Sequence, residues 1–201
     1  SQVVDLVEEL KAHTFEIAGL TPYDLITALG FLYFSRQQVD CAVIEVGLGG
    51  RLDPTNVLIP RVAVITSISY DHMHLLGNSL SDIAREKAGI IKPKVPIVLA
   101  PQQSEAELVV TEIAEERKAP LIKVGQDWLF SPGSRQLVGQ SFFIWSSDEQ
   151  ASMDAYVESA GSEAWAPNKY FMPLLGYHQV INAAVSYAAV QAFAGREMKV
   201  D

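Results

Sequence analysis

Three side chains far apart in the chain, Glu45, His72 and Lys87, stand where the sequence pattern closes a strand or a helix, and together they raise the question of cation chemistry. A carboxylate and an imidazole can hold a divalent ion through their lone pairs, whereas an ordinary ammonium has none and repels the metal. Glu45 closes the apolar run Val39-Asp40-Cys41-Ala42-Val43-Ile44-Glu45-Val46, and Gly47-Leu48-Gly49-Gly50 follows at once. A run of this kind reads as an interior strand of a parallel sheet, and ligands of such sheets gather outside the carboxyl ends of the strands. An acid at the edge of a core is costly unless paired or bound to a cation. Glu45 is therefore a site residue or a carboxylate capping the loop through backbone N–H groups. Taken alone, His72 is a ligand or a loop histidine bonded to backbone, and Lys87 is a solvated lysine favoured near a helix C-terminus.

The elements that must position these groups follow from periodicity. Val3, Leu6, Val7 and Leu10 recur at helical spacing from Gln2 to Leu10. Thr21 and Pro22 carry the N-cap and first-position signals of a second helix, whose stripe of Leu25, Leu29, Leu32 and Tyr33 ends by Gln37. Buried strands are expected at 39–46, 62–68, 95–99 and 121–124, with helices capped by Ser79 or Ser81 and ending at Gly89, and again over 105–118. This order predicts an α/β fold with a mostly parallel sheet covered by helices on both faces. From Asp127 to Met172 aromatic residues alternate with Ser, Gly and Asp, which predicts a small antiparallel subregion with a turn at Ser131-Pro132-Gly133-Ser134. A close-packed helix is expected from His178 to Ala194.

Composition narrows the function. The 201 residues suit one domain able to bury a real core, and no apolar stretch has the length to span a bilayer. With 15 basic and 24 acidic residues the net charge of -9 argues against non-specific attraction to nucleic acid or to an anionic membrane. The single Cys41, expected inside the first strand, permits no intrachain disulfide, and a cytoplasmic location is the default. Ser1 in place of an initiator Met, and the polar end of the chain, are the marks expected of a piece cut from a longer protein.

The run Val43-Ile44-Glu45-Val46-Gly47-Leu48-Gly49-Gly50-Arg51-Leu52-Asp53-Pro54-Thr55-Asn56-Val57-Leu58 resembles the signature of the folylpolyglutamate synthase/dihydrofolate synthase family, within the Mur ligase superfamily. In the family's order it is joined by Thr66-Ser67-Ile68-Ser69-Tyr70-Asp71-His72-Met73 and by Ile83-Ala84-Arg85-Glu86-Lys87-Ala88-Gly89-Ile90. The fourth motif is Leu174-Leu175-Gly176-Tyr177-His178-Gln179-Val180-Ile181-Asn182. The resemblance implies the central ATPase domain of a P-loop NTPase-like Mur-type ligase, here residues 1–195, with 196–201 starting a linker to a further domain. It implies ATP-driven conversion of a substrate carboxylate to an acyl phosphate, which the amine of L-glutamate attacks to form an amide on folate or dihydropteroate. By motif position Glu45, His72 and Lys87 would hold magnesium, Lys87 as a carbamate, which turns the amine into an anionic oxygen donor suited to a hard metal. His178 and Asn182 would contact the adenosine part of ATP. Arg51, Asp53 and Asn56 would shape the loop after Glu45, with a ligand contact also open to Arg51, and Asp71 would orient His72 or form an Asx turn.

The chain departs from the family where it has no Gly-x-x-x-x-Gly-Lys-Ser/Thr phosphate loop, and where Tyr23-Asp24 replaces an aromatic-Glu pair. Three functional readings follow. The first is a fragment of a folate-type glutamate ligase, inactive as it stands and monomeric in its full-length form. The second is a peptidoglycan-precursor ligase of the same superfamily, and the third is a binding module that keeps the scaffold without catalysis.

Overall fold

The computed structural model describes residues 2–14, 19–71 and 73–195, so that His72 and the expected linker 196–201 lie outside the described residues. The chain divides into two compact units, Ser1–Leu58 and Ile59–Asp201.

The first unit is helical. Helices α1 (Gln2–Thr14) and α2 (Pro22–Gln37) pack together around Leu6, with an ion pair between Arg36 and Glu9. The N-terminus of α2 is where the sequence places it. The Thr21 hydroxyl accepts from the Asp24 N–H at 3.2 Å and Asp24 Oδ2 accepts from the Thr21 N–H at 2.7 Å, a reciprocal capping box. The acid at the third helical position thus completes the cap that Thr21 begins. Downstream, the expected strand at 39–46 is absent: the segment is unpaired and Val43 is 95% exposed. A strand exists through the ladder it makes with a neighbour, and the first unit has no second strand among its described residues to supply one. Cys41, expected inside that strand, is exposed for the same reason.

The second unit holds the predicted α/β core. Strands β1 (Ala63–Ile65), β2 (Ile97–Leu99) and β3 (Leu121–Lys123) form a parallel sheet in sequential order, with Val98 opposite Val64 and Ile122. Between them run the short α3 (Met73–Leu76), α4 (Leu80–Ala88) and α5 (Ser104–Glu116). Alternate strand residues feed opposite faces. Ala63, Ile65, Ile97 and Leu99 join Ile83, Ala84, Ala88, Val110 and Ile113 of α4 and α5 in one core. Val98, between Ile97 and Leu99, belongs to a second core built with the final helix, α7 (Tyr177–Ala194). Val180, Ala184 and Ala188 recur every fourth residue on α7, and their small side chains let the helix lie close against Val98, Ala100 and Val124.

The other wall of that second core is the antiparallel sheet expected from the aromatic-rich segment. Its strands are β4 (Trp128–Gln136), β5 (Gly139–Ser146) and β6 (Asn168–Met172), with β5 central. Helix α6 (Gln150–Glu158) interrupts the segment between β5 and β6. The turn expected at Ser131–Ser134 falls inside β4, as a register shift between Pro132 and Arg135. β4 is an edge strand, where proline's missing N–H costs no ladder bond. The hairpin closes instead at Leu137-Val138, between the paired Gln136 and Gly139. Among the described residues no helix is long and apolar enough to cross a membrane.

Candidate functional site

In the first unit the signature loop is organised by one carboxylate. Asp53, 7% exposed, accepts from the Gly47 and Leu48 N–H groups at 3.0 Å each through Oδ2. Its Oδ1 accepts from the Thr55 N–H at 2.9 Å and from the Thr55 hydroxyl at 2.5 Å. Burial pushes this carboxyl up, but the four donors outweigh it and hold Asp53 below the usual carboxylate range. Asn56 donates to the Arg51 carbonyl at 3.0 Å, closing the far side of the loop. Gly49 sits at φ 67, a left-handed conformation in which a side chain is strained. Asp53 and Asn56 therefore shape the loop, as their place in the signature suggests. Glu45, two residues before the first Asp53 donor, is exposed, and no described residue donates to its carboxylate.

In the second unit polar groups collect outside the carboxyl ends of the parallel strands. Beyond Ile65 the pairing of β2 with β1 ends, with a last bond from the Ala100 N–H to the Ile65 carbonyl at 2.9 Å, as the chain turns into α5. The side chain of Gln102 takes over. Its Nε2 donates to the Thr66 carbonyl and its Oε1 accepts from the Ile68 N–H, both at 2.8 Å. Those two groups flank Ser67, so the amide bonds β1 as a residue of a neighbouring parallel strand would, and fixes the start of the segment leading to His72. Beside it a cleft of about 160 Å³ is lined by Gln102, Glu107, Lys123, Gly125 and Gln126 among others. Glu107 accepts from Lys123 Nζ at 2.8 Å and from Gln126 Nε2 at 3.0 Å, and these bonds, Lys123 foremost, hold its carboxyl below its ordinary value. Among the described residues expected to form the site, Glu45, Lys87, His178 and Asn182, none lines this cleft.

Lys87 lies in the last turn of α4, whose start is fixed by Ser79: the hydroxyl accepts from the Asp82 N–H at 3.1 Å and Asp82 answers at 3.2 Å. Ser79, not Ser81, is the cap; Ser81 instead donates to Glu105 of α5 through both its N–H, at 3.0 Å, and its hydroxyl, at 2.8 Å. Ile83, Ala84 and Ala88 bury one face of α4 and leave Lys87 half-buried at its margin, its ammonium without a partner among the described residues. Among those residues no group of three His, Cys, Asp or Glu side chains could hold a metal ion. The donor chemistry of Glu45 nonetheless fits a hard cation, since its carboxylate oxygens are unclaimed by any described residue.

His178 and Asn182 lie one turn apart on α7 and share an exposed stripe of its first two turns. The Asn182 amide approaches Gln179 Oε1 at 3.5 Å, and Ser186 donates to the Asn182 carbonyl at 2.9 Å. Gly176, at φ 113, precedes them, and the His178 ring folds back over it so closely that a Cβ there would meet Cε1 at 2.7 Å. The opposite side of α7 is aromatic: Tyr187 stands edge-on to Trp128, with ring centroids 5.1 Å apart, and burial, with smaller contributions from Tyr170 and Glu149, raises its hydroxyl. Sequence reasoning reached His178 and Asn182 but missed Gln102 and Gln140. Gln140 could have been seen, because it shares the inward parity of Phe142 and Ile144 in an otherwise apolar register.

Residues 5–190 match the family described as the Mur ligase middle domain. The chain is 36% identical to the dihydrofolate synthase/folylpolyglutamate synthase of Bacillus subtilis over 192 residues, covering 92% of this chain and 41% of that protein. It is 34% identical over 176 residues to the folylpolyglutamate synthase of Lacticaseibacillus casei, covering 88% of this chain and 37% of that protein. Among solved structures, a folylpolyglutamate synthase–AMPPCP–folate complex superposes with a TM-score of 0.80 at 30% identity, over 97% of this chain and 44% of the other. The chain therefore spans less than half the length of the relatives it matches.

Proposed function

The chain belongs to the Mur ligase middle-domain family, and we propose that it is the ATP-handling part of a longer ligase that adds glutamate to folates and, as one such relative's name suggests, to dihydropteroate. The observation that carries this reading is its likeness, over nearly its whole length, to a relative solved with both AMPPCP and folate.

In the proposed reaction the substrate carboxylate takes the terminal phosphoryl of ATP, releasing ADP. The amine of glutamate then attacks the acyl carbon, phosphate leaves, and the amine's proton goes to solvent. Glu45, His72 and a carbamylated Lys87 would hold magnesium, which when bound neutralises charge on the phosphoryl oxygens and keeps the transfer in line. Forming the carbamate joins the Lys87 amine to carbon dioxide and releases one proton. Asp53 keeps the loop after Glu45 in a single shape, so that Glu45 leaves it at a fixed point. The Gln102 amide does the same for the segment before His72. His178 and Asn182 present an imidazole and a carboxamide on one helix stripe for the adenosine part of ATP. The lone cysteine of the chain accords with a cytoplasmic enzyme.

The test is ATP consumption by the full-length ligase. ADP release should require both glutamate and a folate or pteroate, and Glu45→Ala should abolish it. Undiminished ADP release in that variant would refute the metal role of Glu45, and turnover with a peptidoglycan precursor in place of folate would redirect the substrate assignment.

A further inference from the structure

The first turn of α7 is gripped from the antiparallel sheet by a single buried amide. Gln140 lies in β5, the central strand, and is 6% exposed. A glutamine side chain has two N–H donors, and here both face one loop: Nε2 donates to the Leu174 carbonyl at 2.9 Å and to the Gly176 carbonyl at 2.8 Å, with Met172 Sδ at 3.9 Å a weaker third contact. The Gly176 carbonyl is also the acceptor that opens the helix, taking the Gln179 N–H at 3.1 Å and the Val180 N–H at 3.4 Å. The amide therefore holds the carbonyl from which α7 starts, and with it the rotation and axial position of the first turn. That turn carries His178, whose ring lies over Gly176, and Asn182 follows on the same stripe.

We propose that Gln140 is a positioning residue for nucleotide binding, acting through the Leu174–Gly176 loop to set His178 and Asn182 for the adenosine part of ATP. The inference rests on the reading of those two residues given above. An all-apolar strand would bury this face more cheaply, since Phe142 and Ile144 do so at the neighbouring inward positions. A buried polar group whose hydrogens both go to one loop specifies that loop's conformation, and the loop leads straight into the stripe assigned to the nucleotide.

The experiment uses the full-length ligase and two substitutions. Gln140→Met keeps the volume and removes both donors. It should raise KM for ATP about tenfold, as expected for two neutral hydrogen bonds, while KM for glutamate and folate stays within twofold of the parent. Gln140→Glu adds a pH signature. A protonated carboxyl can donate to one of the two carbonyls and an ionised one to neither, so the ratio of this variant's KM for ATP to the parent's should climb with pH. A parent-like KM for ATP in Gln140→Met, or equal changes for all three substrates, would overturn the proposal. If the parent itself neither binds nor consumes ATP, the nucleotide reading fails and takes this proposal with it, an outcome separate from a parent that binds ATP and variants that bind it equally well. Should both variants fail to fold, amide exchange in the parent decides: the Gln179 and Val180 N–H groups should be protected and further slowed by ATP, and unprotected exchange at both would refute a held first turn.

Discussion

Asp53→Asn tests how the signature loop is held. The carboxylate accepts four hydrogen bonds, two at each oxygen, from Gly47, Leu48 and both donors of Thr55. An amide has one oxygen. If that oxygen faces Thr55, the new NH2 points at the Gly47 and Leu48 N–H groups and two bonds become donor against donor; if it faces the glycine side, the Thr55 N–H loses its acceptor. The surviving bonds also fall from charge-assisted to neutral strength. Gly47 and Leu48 are exposed enough for water to replace part of the loss, which leaves about 2–4 kcal/mol. Read as local opening, this is about 30- to 1000-fold faster amide exchange at Thr55, at about 1.4 kcal/mol per factor of ten. The pH dependence has a definite sign. Folded Asp53 titrates below its unfolded value of about 3.9, so the unfolded state takes up protons first as pH falls. The stabilisation from Asp53 is thus complete above about pH 5 and is lost as pH drops through the folded value, so the difference between the parent and the Asn variant shrinks there. Urea unfolding of both proteins at pH 7 and in steps down to pH 3 measures this. A difference that persists unchanged at pH 3 would refute the carboxylate as the loop's organiser.

Replacing Gln102 with Leu removes the amide that continues the β1 ladder and leaves the N–H of buried Ile68 without its acceptor, which should cost about 1–3 kcal/mol in denaturant unfolding and speed exchange of the Ile68 amide. Unchanged exchange at Ile68 would show that the clasp is dispensable. Ile97→Ala empties a fully buried position in the core between the parallel sheet and α4 and α5, and should lower unfolding stability by about 2–5 kcal/mol. A loss below about 1 kcal/mol would mean that the core collapses around the gap.

Local chemistry was legible without coordinates. Thr21-Pro22 marked the start of α2, and Ser79 or Ser81 that of α4, with Ser79 proving to be the cap, because capping joins groups three residues apart. The parallel strands were found from apolar runs, and the antiparallel segment from its aromatic alternation. The four ordered motifs led to the Mur-type family, and the loop-shaping role of Asp53 and Asn56 could be expected from their place in the first motif. The errors occur where the partner is distant or absent. The run 39–46 has the composition of a buried strand, yet Val43 is exposed because pairing belongs to the neighbour and not to the segment. The turn read at Ser131–Ser134 became a bulge, since an edge strand tolerates proline that an interior one would exclude.

The order of residue types specifies the inventory of groups and the elements carrying them: an acid before a glycine-rich loop, a lysine at a helix end, and a histidine and an asparagine one turn apart. How the loops bearing those groups are held depends on packing between distant segments. Gln102 reaches back 36 residues to Thr66 and Gln140 reaches forward 36 to Gly176. No periodicity encodes such a bond, because it forms only after the sheets have brought the amide and its carbonyl together.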